Sequence, residues 1–336
     1  MIRAYLAFTD KGLALAERLA AVLPGSVSRG GKGDVSLAEW TTQQFAQADA
    51  LIFVGAAGIA VRAIAPHCKS KASDPAVVVL DECGRFAIPI LSGHLGGAND
   101  LARELAAICG AIPVITTATD ANGVFAVDEW AKYQNCAVLE VEKIKCVSGK
   151  LLAGKTAAYW SDYKVAGVVP ADAIAAETQE DADFALTLFP KGNALHLVPK
   201  IAVLGVGCRR GTTAEQLETI FSEFCEKTGL APQGICMAAS IDLKQNEAGL
   251  LEFCEKQHWN IEFYSAEQLQ KAPGTFTPSS FVRSVTGVDN VCERSAVLAS
   301  GGSLCLKKYA SGGVTFALAQ KPYSPDWRWQ NVENIE

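Results

Sequence analysis

Short apolar runs alternate with segments of helical apolar spacing along the first third of the chain. The runs at 50–55 and 76–80 are apolar throughout, which is typical of parallel strands buried on both faces. Apolar residues recur at helical spacing at 12–23, 58–65 and 96–109, and this spacing predicts helices. Further strands are predicted at 2–8, 86–91 and 112–115, and a further helix at 125–135. Because 86–91 follows a turn directly after 76–80, we predict that these two strands form a hairpin.

A second region with the same alternation begins at residue 201. Its predicted strands are 201–206, 235–240 and 261–264, its helices are 212–228, 247–257 and 289–298, and 303–308 with 314–319 form a terminal hairpin. Between the two regions the pattern is weaker. That segment carries an amphipathic stretch at 138–152 and short strand candidates at 164–169, 184–189 and 194–198.

We therefore predict an α/β protein with two three-layer α/β/α domains of mainly parallel sheets, joined by a small α+β middle module. The predicted N-terminal domain is 1–135, the middle module is 136–199, and the C-terminal domain is 200–322. Residues 323–336 are mainly polar, include two tryptophans, and are predicted to form a loosely attached tail.

Composition narrows the classes of function. The chain has 336 residues, 49% of them hydrophobic, and a net charge of −6, which argues against a general nucleic-acid binder. Its eleven cysteines are scattered without metal-ligand spacing, so we expect reduced thiols. No secretory signal is evident, and no apolar stretch approaches the roughly 20 residues of a membrane span. We expect a cytoplasmic protein.

The segment Gly93-His94-Leu95-Gly96-Gly97-Ala98-Asn99-Asp100 follows an apolar strand and opens a predicted helix. His94 would therefore lie in a loop at the end of a strand, where open α/β sheets bind ligands. An imidazole in that place can serve as a base, an acid or a metal ligand, or it can be structural. Gly96 and Gly97 would allow a substrate to approach the backbone, and Asn99 or Asp100 would cap the helix.

Other polar or glycine-rich segments also follow predicted strands. In the N-terminal region they contain Gly55, Gly58 and Arg62, then Asp81, then Thr116, Thr117 and Asp120. In the C-terminal region they contain Gly205, Gly207, Cys208, Arg209 and Arg210, then Ser240 and Lys244, then Gly287 and Glu293. We expect the N-terminal segments to meet His94 at one edge of the sheet. We expect the two arginines, at the start of a helix, to bind carboxylate groups of a ligand. Ordinary turn chemistry is the alternative for each segment.

Together these segments resemble the CbiG family, the cobalt-precorrin-5A hydrolases of anaerobic cobalamin biosynthesis. The N-terminal resemblance lies in FVGAAGIAVRAIAP, VVVLDECGRFAIPILSGHLGGANDLA and PVITTATD, and the C-terminal one in LGVGCRRGTT, ASIDLK and TGVDNVCERSA. The resemblance covers most of the chain and is weakest in the middle. The C-terminal motifs are shared with the CobE-like proteins of the aerobic pathway.

The resemblance implies a hydrolase acting on a carbon–carbon bond. It would open the ring A acetate δ-lactone of cobalt-precorrin-5A and release acetaldehyde, giving cobalt-precorrin-5B. We predict His94 as base or acid, with Asp120 or Asp81 orienting it, and water as the direct nucleophile, since no G-x-S-x-G elbow is present. Amides around Gly96, Gly97 and Gly55–Gly58 would stabilise the oxyanion. The predicted substrate-binding residues are Gly55, Gly58, Arg62, Gly93, Gly96, Gly97, Asn99, Thr116, Thr117, Gly205, Gly207, Cys208, Arg209, Arg210, Ser240, Lys244, Gly287 and Glu293.

The predicted partner is the cobalt-corrinoid substrate, which brings its own cobalt, so we predict no protein-held metal and no cofactor. His94 as an axial cobalt ligand is the competing role for that residue. We predict no membrane and no nucleic-acid partner, and we allow for a homodimer and for contacts with other cobalamin-pathway enzymes. A corrinoid carrier without catalytic activity is the alternative function. A nucleotide-binding or sugar-phosphate-binding protein is disfavoured because neither a Walker nor a Rossmann fingerprint is present.

Overall fold

The computed structural model describes residues 1–31, 35–70 and 73–329, which form two compact units. The first unit contains Met1–Lys132 and Trp329, and the second contains Tyr133–Arg328. The division after Lys132 lies close to the predicted end of the N-terminal domain at residue 135. The predicted middle module and C-terminal domain both lie within the second unit, where each has a five-stranded sheet of its own.

The first unit is built on a six-stranded sheet with the order β2-β1-β3-β4-β5-β6. Its strands are β1 (Arg3–Ala7), β2 (Ser26–Arg29), β3 (Ala50–Val54), β4 (Ala76–Leu80), β5 (Phe86–Leu91) and β6 (Ile112–Pro113). Every residue of β3 and β4 is buried, because helices cover both faces of the sheet. This burial explains why the two strands are apolar throughout instead of alternating.

The helices of the first unit are α1 (Asp10–Val22), α2 (Leu37–Gln47), α3 (Ala57–Ile64), α4 (Ala98–Cys109), α5 (Ala118–Asn122) and α6 (Val127–Tyr133). On one face of the sheet, Leu19 of α1 and Leu105 of α4 join a core with alternate strand residues. On the other face, Trp40 of α2 and Ile64 of α3 join a second core. The predicted three-layer arrangement is confirmed for this unit.

The direction of β5 decides where the loops of the first unit lie. β1, β3 and β4 run parallel, but β5 pairs antiparallel with β4, so Leu91 at the end of β5 faces Val77 near the start of β4. β6 runs parallel to β5. The predicted hairpin is therefore confirmed, and the loops after β5 and β6 lie at the edge opposite the loops after β3 and β4.

The second unit contains two mixed sheets. Its strands are β7 (Cys136–Val138), β8 (Ala157–Ser161), β9 (Ala173–Ala175), β10 (Phe184–Leu186), β11 (Leu195–Pro199), β12 (Ala202–Cys208), β13 (Ile235–Ile241), β14 (Asn260–Tyr264), β15 (Ser303–Ser311) and β16 (Val314–Gln320). Its helices are α7 (Ile144–Leu152), α8 (Ala214–Thr228), α9 (Ala248–Lys256), α10 (Ala266–Gln270), α11 (Ser280–Thr286) and α12 (Cys292–Ser300). The sheet orders are β7-β11-β10-β8-β9 and β14-β13-β12-β16-β15.

In the larger core of this unit, α8 and α9 supply Phe221, Phe224 and Phe253, which pack on Phe316 of β16. On the opposite face, Ala296 of α12 lies against β16. β12, β13 and β14 are parallel, and β15 and β16 form the predicted antiparallel hairpin. The three-layer prediction is thus also confirmed for the C-terminal sheet.

Two local predictions are wrong. Residues 164–169 form no strand; Ala166 makes only an isolated bridge with Asp326, and the strand of this region is β8. Residues 323–329 are not loosely attached, because Trp327 is 4% exposed and packs edge-to-face on Tyr159 with ring centroids 4.7 Å apart. The rest of the predicted tail, 330–336, lies outside the described residues. Among the described helices, none combines the length and the apolarity required to cross a bilayer.

Candidate active site

His94 lies in the loop between β5 and α4, and local hydrogen bonds fix the course of this loop. The Ser92 hydroxyl donates to the Asp74 carbonyl at 2.9 Å, and the Gly97 amide donates to the His94 carbonyl at 2.9 Å. Gly97 has a φ of +85°, and a Cβ there would lie 2.6 Å from Nζ of Lys132. The left-handed conformation favours glycine at this position, whereas the flexible end of the Lys132 side chain could move aside.

Both ring nitrogens of His94 face carboxylates. Nδ1 lies 3.0 and 3.1 Å from the two carboxylate oxygens of Asp128, and Nε2 lies 2.9 Å from Oδ2 of Asp120. The three side chains are only 6–8% exposed. An ionised carboxylate only accepts hydrogen bonds, so both nitrogens donate and the ring is an imidazolium. The predicted pairing of His94 with Asp120 is present in the structure.

Asp120 is held by α4 as well as by His94. Nη2 of Arg103 donates to Oδ1 of Asp120 at 2.6 Å, and Nδ2 of Asn99 lies 3.3 Å from Oδ2. The same Asn99 amide donates to the Thr117 hydroxyl at 2.7 Å. Asn99 is therefore not the helix cap that the sequence suggested; its buried side chain links the loop after β6 to α4.

The charges explain the protonation of His94. Burial by itself lowers the pKa of this imidazole, but hydrogen bonds to Asp120 and Asp128 outweigh it and raise the pKa from 6.5 to about 10. Burial works against ionisation of Asp120 too, yet hydrogen bonds from His94 and Arg103 hold its pKa below the ordinary value of 3.8. Both groups are consequently charged at neutral pH.

Glu129, next to Asp128 in the first turn of α6, completes the cluster. Its Oε1 lies 3.7 Å from Nε2 of His94, while its Oε2 is buried without a hydrogen-bond partner. Burial raises the pKa of Glu129 from 4.5 to about 7; the His94 charge opposes this rise, and the charge of Asp120 adds to it. Of the three carboxyl groups that face His94, this one is the least suited to carry a charge.

A metal ion is the other occupant that such a cluster suggests. One ligand atom each from His94, Asp120 and Glu129 lies within 4.8 Å of the others. A cation would require the lone pair of Nε2, however, and this nitrogen faces Asp120 at hydrogen-bonding distance. The geometry fits an imidazolium between carboxylates better than a metal ligand.

Asp81 does not join this site, contrary to the prediction. It follows β4, whereas His94 follows β5, and the antiparallel pairing places these two ends at opposite edges of the sheet. The Asp81 carboxylate accepts hydrogen bonds from the amides of Cys83, Arg85 and Phe86, at 3.2, 2.7 and 2.8 Å. Burial works against its ionisation, but these backbone bonds lower its pKa. Asp81 stabilises the β4–β5 turn.

Gly55, Gly58 and Arg62 lie at the same edge as Asp81, so they are also remote from His94. The Gly55 amide donates to the Leu80 carbonyl at 2.8 Å, which leaves it unavailable to an oxyanion. The Gly97 amide is likewise occupied by the His94 carbonyl. Among the predicted substrate-binding residues, Gly93, Gly96, Gly97, Asn99 and Thr117 are near His94, and Thr116 is exposed on the chain leading to Thr117.

The predicted residues of the second unit separate into an exposed group and a buried group. Arg209 and Arg210 follow β12 with exposed side chains and form no ion pair within the described chain. Lys244, after the neighbouring β13, pairs with Glu247 at 2.6 Å. The hydrogen bond from Lys244, with smaller effects of its charge and of Arg210, lowers the pKa of Glu247. Cations thus collect at the carboxyl edge of these strands.

The remaining residues of this set have structural partners. The Ser240 hydroxyl donates to the Val206 carbonyl at 2.7 Å, and Glu293 accepts three hydrogen bonds, from the amide and hydroxyl of Thr277 and the amide of Lys308. Burial raises the pKa of the Cys208 thiol, which makes it a poor nucleophile. Close packing and turn geometry account for the glycines at 205, 207 and 287.

Sequence reasoning missed Asp128, Glu129 and Arg103. The two acids open α6, where carboxylates commonly interact with the helix N-terminus, so nothing marked them as unusual. Their burial is the distinguishing feature, and it depends on the packing of α6 against the loop after β5. The signal available in the sequence was the Asp128-Glu129 pair interrupting the apolar run from Phe125 to Ala131.

Comparisons with known proteins agree with the two-part organisation. The family model "Cobalamin synthesis G N-terminal" matches residues 39–120, and "Cobalamin synthesis G C-terminus" matches residues 202–319. The cobalt-precorrin-5A hydrolase of Salmonella typhimurium is 36% identical over 94% of this chain and 96% of its own length.

The cobalt-precorrin-5A hydrolase of Priestia megaterium is 34% identical, over 81% of this chain and 79% of its own length. Protein CobE of a Sinorhizobium species is 33% identical over 35% of this chain and 78% of its own length. The resemblance noted in the sequence motifs is confirmed: the chain belongs to the CbiG family of cobalt-precorrin-5A hydrolases.

Proposed function

We propose that this protein opens the ring A acetate δ-lactone of cobalt-precorrin-5A and releases the two-carbon fragment as acetaldehyde, giving cobalt-precorrin-5B. Family membership supports the substrate and the reaction. The observation that points to the site of this reaction is the pair of hydrogen bonds from His94 to Asp120 and Asp128. His94 and Asp120 lie within the segment matched by the N-terminal family model, residues 39–120, and Asp128 lies just after it. Buried charged clusters with strongly shifted pKa values are typical of catalytic sites.

In the proposed reaction His94 acts in its charged form. The positive charge of the imidazolium can stabilise the oxyanion that forms when water adds to the lactone carbonyl, while its two N–H groups stay on Asp128 and Asp120. Asp120 and Asp128 orient the ring and maintain its charge. We propose that Arg209, Arg210 and Lys244, at the carboxyl edge of the parallel strands of the second unit, bind carboxylate groups of a corrinoid. Arg62, at the edge of the first sheet opposite His94, is left out of this proposal.

The cobalt is proposed to arrive with the substrate, with no further metal or cofactor bound by the protein. The hydrogen bond from Nε2 to Asp120 argues against His94 as an axial cobalt ligand. All eleven cysteines are free, which supports a reducing, cytoplasmic location. A homodimer and contacts with other pathway enzymes remain proposals, and sedimentation would test the first.

The test measures acetaldehyde release from cobalt-precorrin-5A by wild type, by His94→Ala and by the control His67→Ala. We expect wild type and His67→Ala to be active. For His94→Ala we expect retained corrinoid binding and a loss of turnover of about 100-fold or more. Near-normal turnover of His94→Ala would exclude the proposed site. Binding of corrinoid by wild type without acetaldehyde release would instead indicate a carrier.

A further inference from the structure

Glu129 is anomalous among the acids of the His94 cluster. Its side chain is 5% exposed, and Oε2 is buried without a hydrogen-bond partner in the described chain. Buried polar atoms almost always have partners, and an unpartnered ionised carboxylate in such surroundings is costly. A buried carboxyl group without a hydrogen-bond partner does not stabilise the fold, so its presence at Glu129 suggests a functional role.

The neighbouring groups are all engaged elsewhere. Asp128 uses both oxygens on Nδ1 of His94, and Asp120 is shared between Nε2 of His94 and Arg103. Asp100 of α4 pairs with Arg103 at 3.2 Å and with Lys132 at 2.8 Å. Each of these acids has a cationic partner in hydrogen-bond contact.

The charge balance of the cluster singles out the same residue. The acids are Asp100, Asp120, Asp128 and Glu129, and the cations facing them from α4, α6 and the loop after β5 are Arg103, Lys132 and protonated His94. Three cations balance three carboxylates. The fourth carboxyl group, that of Glu129, can hold or release a proton while the rest of the cluster stays charged.

Resting on the proposed function, we propose that Glu129 is a further catalytic residue: the base that takes a proton from the hydrolytic water while His94 remains protonated beside it. As the proton passes to the Glu129 carboxylate, the water oxygen bonds to the lactone carbonyl carbon. The bond from that carbon to the ring oxygen then breaks, and the ring oxygen takes the proton from Glu129. Water is consumed, and the carboxylate is regenerated.

Burial and electrostatics suit this assignment. Only 5% of the Glu129 side chain is exposed, so the proposal requires that a water molecule and the lactone edge of the corrinoid reach this carboxyl group, and not the whole macrocycle. The burial that raises the pKa of Glu129 to about 7 makes the carboxylate a stronger base than an ordinary glutamate, yet leaves it partly ionised at neutral pH. His94, with both nitrogens donating, cannot accept a proton.

The test compares acetaldehyde release by wild type, Glu129→Gln and Glu104→Gln, with the last removing an exposed acid from α4 of the same unit. We expect Glu129→Gln to reduce kcat about 100-fold or more with KM for the corrinoid within about twofold, and Glu104→Gln to match wild type. Wild-type kcat for Glu129→Gln would overturn the inference and leave the proposed function standing. An inactive wild-type protein would overturn both.

A measurement on wild type alone covers the case in which Glu129→Gln does not fold. Because the carboxylate form is the active one, kcat should rise about tenfold per pH unit below about 7 and level off above it. A flat kcat profile from pH 5.5 to 8 would overturn the inference. In folded Glu129→Gln the residual rate should lack this rising limb, which a merely structural role of the residue would not predict.

Discussion

Asp128 binds His94 with both carboxylate oxygens, at 3.0 and 3.1 Å from Nδ1. Asp128→Asn would replace this carboxylate with a neutral amide, so that less negative charge would balance the positive charge of the buried His94 ring. We expect the free energy of unfolding at pH 7 to fall by about 1–3 kcal/mol in urea titrations. Glu104→Gln serves as the control, and an Asp128→Asn protein as stable as this control would contradict the contact.

The pH dependence of stability follows from the same imidazole. The folded-state pKa of His94 is raised from 6.5 to about 10, so its stabilising effect is complete below pH 6.5 and disappears as the pH rises through about 10. We expect wild type to lose on the order of a few kcal/mol more than His94→Gln between pH 6.5 and 10. Parallel stability curves for the two proteins would show that His94 is not held as an imidazolium.

Glu293 was predicted to bind substrate, but its contacts indicate a structural role. Its carboxylate accepts hydrogen bonds at 2.7, 2.8 and 2.7 Å, and the residue has no exposed surface. We expect Glu293→Gln to lower the free energy of unfolding by about 2–3 kcal/mol, because an amide cannot accept all three bonds equally well. The exposed Glu226→Gln on α8 should have no such effect. A stable Glu293→Gln with weakened corrinoid binding would restore the original prediction.

Gly205 is required for the packing of β12 against α12. A Cβ at this position would lie 1.8 Å from the Cys292 carbonyl oxygen, whereas a Cβ at Gly149 in α7 would meet nothing within 4 Å. We expect Gly205→Ala to destabilise the second unit by about 3 kcal/mol or more, and Gly149→Ala to stabilise it by up to about 1 kcal/mol. Thermal unfolding followed by circular dichroism measures both, and equal midpoints would refute this packing argument.

The exposed arginines after β12 should affect binding and not folding. We expect the double variant Arg209→Gln/Arg210→Gln to weaken corrinoid binding about 3- to 10-fold at low salt, with unchanged unfolding. The effect should shrink as salt is added, because it is electrostatic. Titration of corrinoid absorbance measures it, with Lys271→Gln/Lys307→Gln as the charge-matched control. Equal affinities of the two double variants would remove the arginines from the binding site.

The hydrophobic pattern predicted most of the fold, because strands that are buried on both faces appear in the sequence as short runs of apolar residues. β3 and β4 were predicted almost to the residue, and β12 and the β15–β16 hairpin were predicted with ends within three residues of those observed. β2 and α2 were missed. β2 is an edge strand with no fully buried residue, and α2 buries only Trp40 and Thr41, so neither has a strong apolar pattern.

The candidate site was only half predictable, for a related reason. His94, Asp120, Asn99 and Thr117 were found because strand-end loops meet at sheet edges, and the structure brings these residues together. Asp81 was placed at the wrong edge of the sheet. In the β4–β5 hairpin the strands run in opposite directions, so the chain after β4 and the chain after β5 lie at opposite edges. Glu129 and its neighbours depend on long-range packing, which a local pattern does not record.

The β4–β5 hairpin also bears on the order of folding events. Its strands are joined by a five-residue turn, so they pair at a small cost in chain entropy, whereas the parallel pairs of the same sheet close much longer loops. We expect this hairpin to form early in folding, so that the His94 loop is placed at its final edge of the sheet before α6 packs against it. Substitutions in the Asp81 turn should then slow folding, while substitutions at Glu129 should act mainly on unfolding. The His94 cluster would thus be among the last parts of the first unit to assemble.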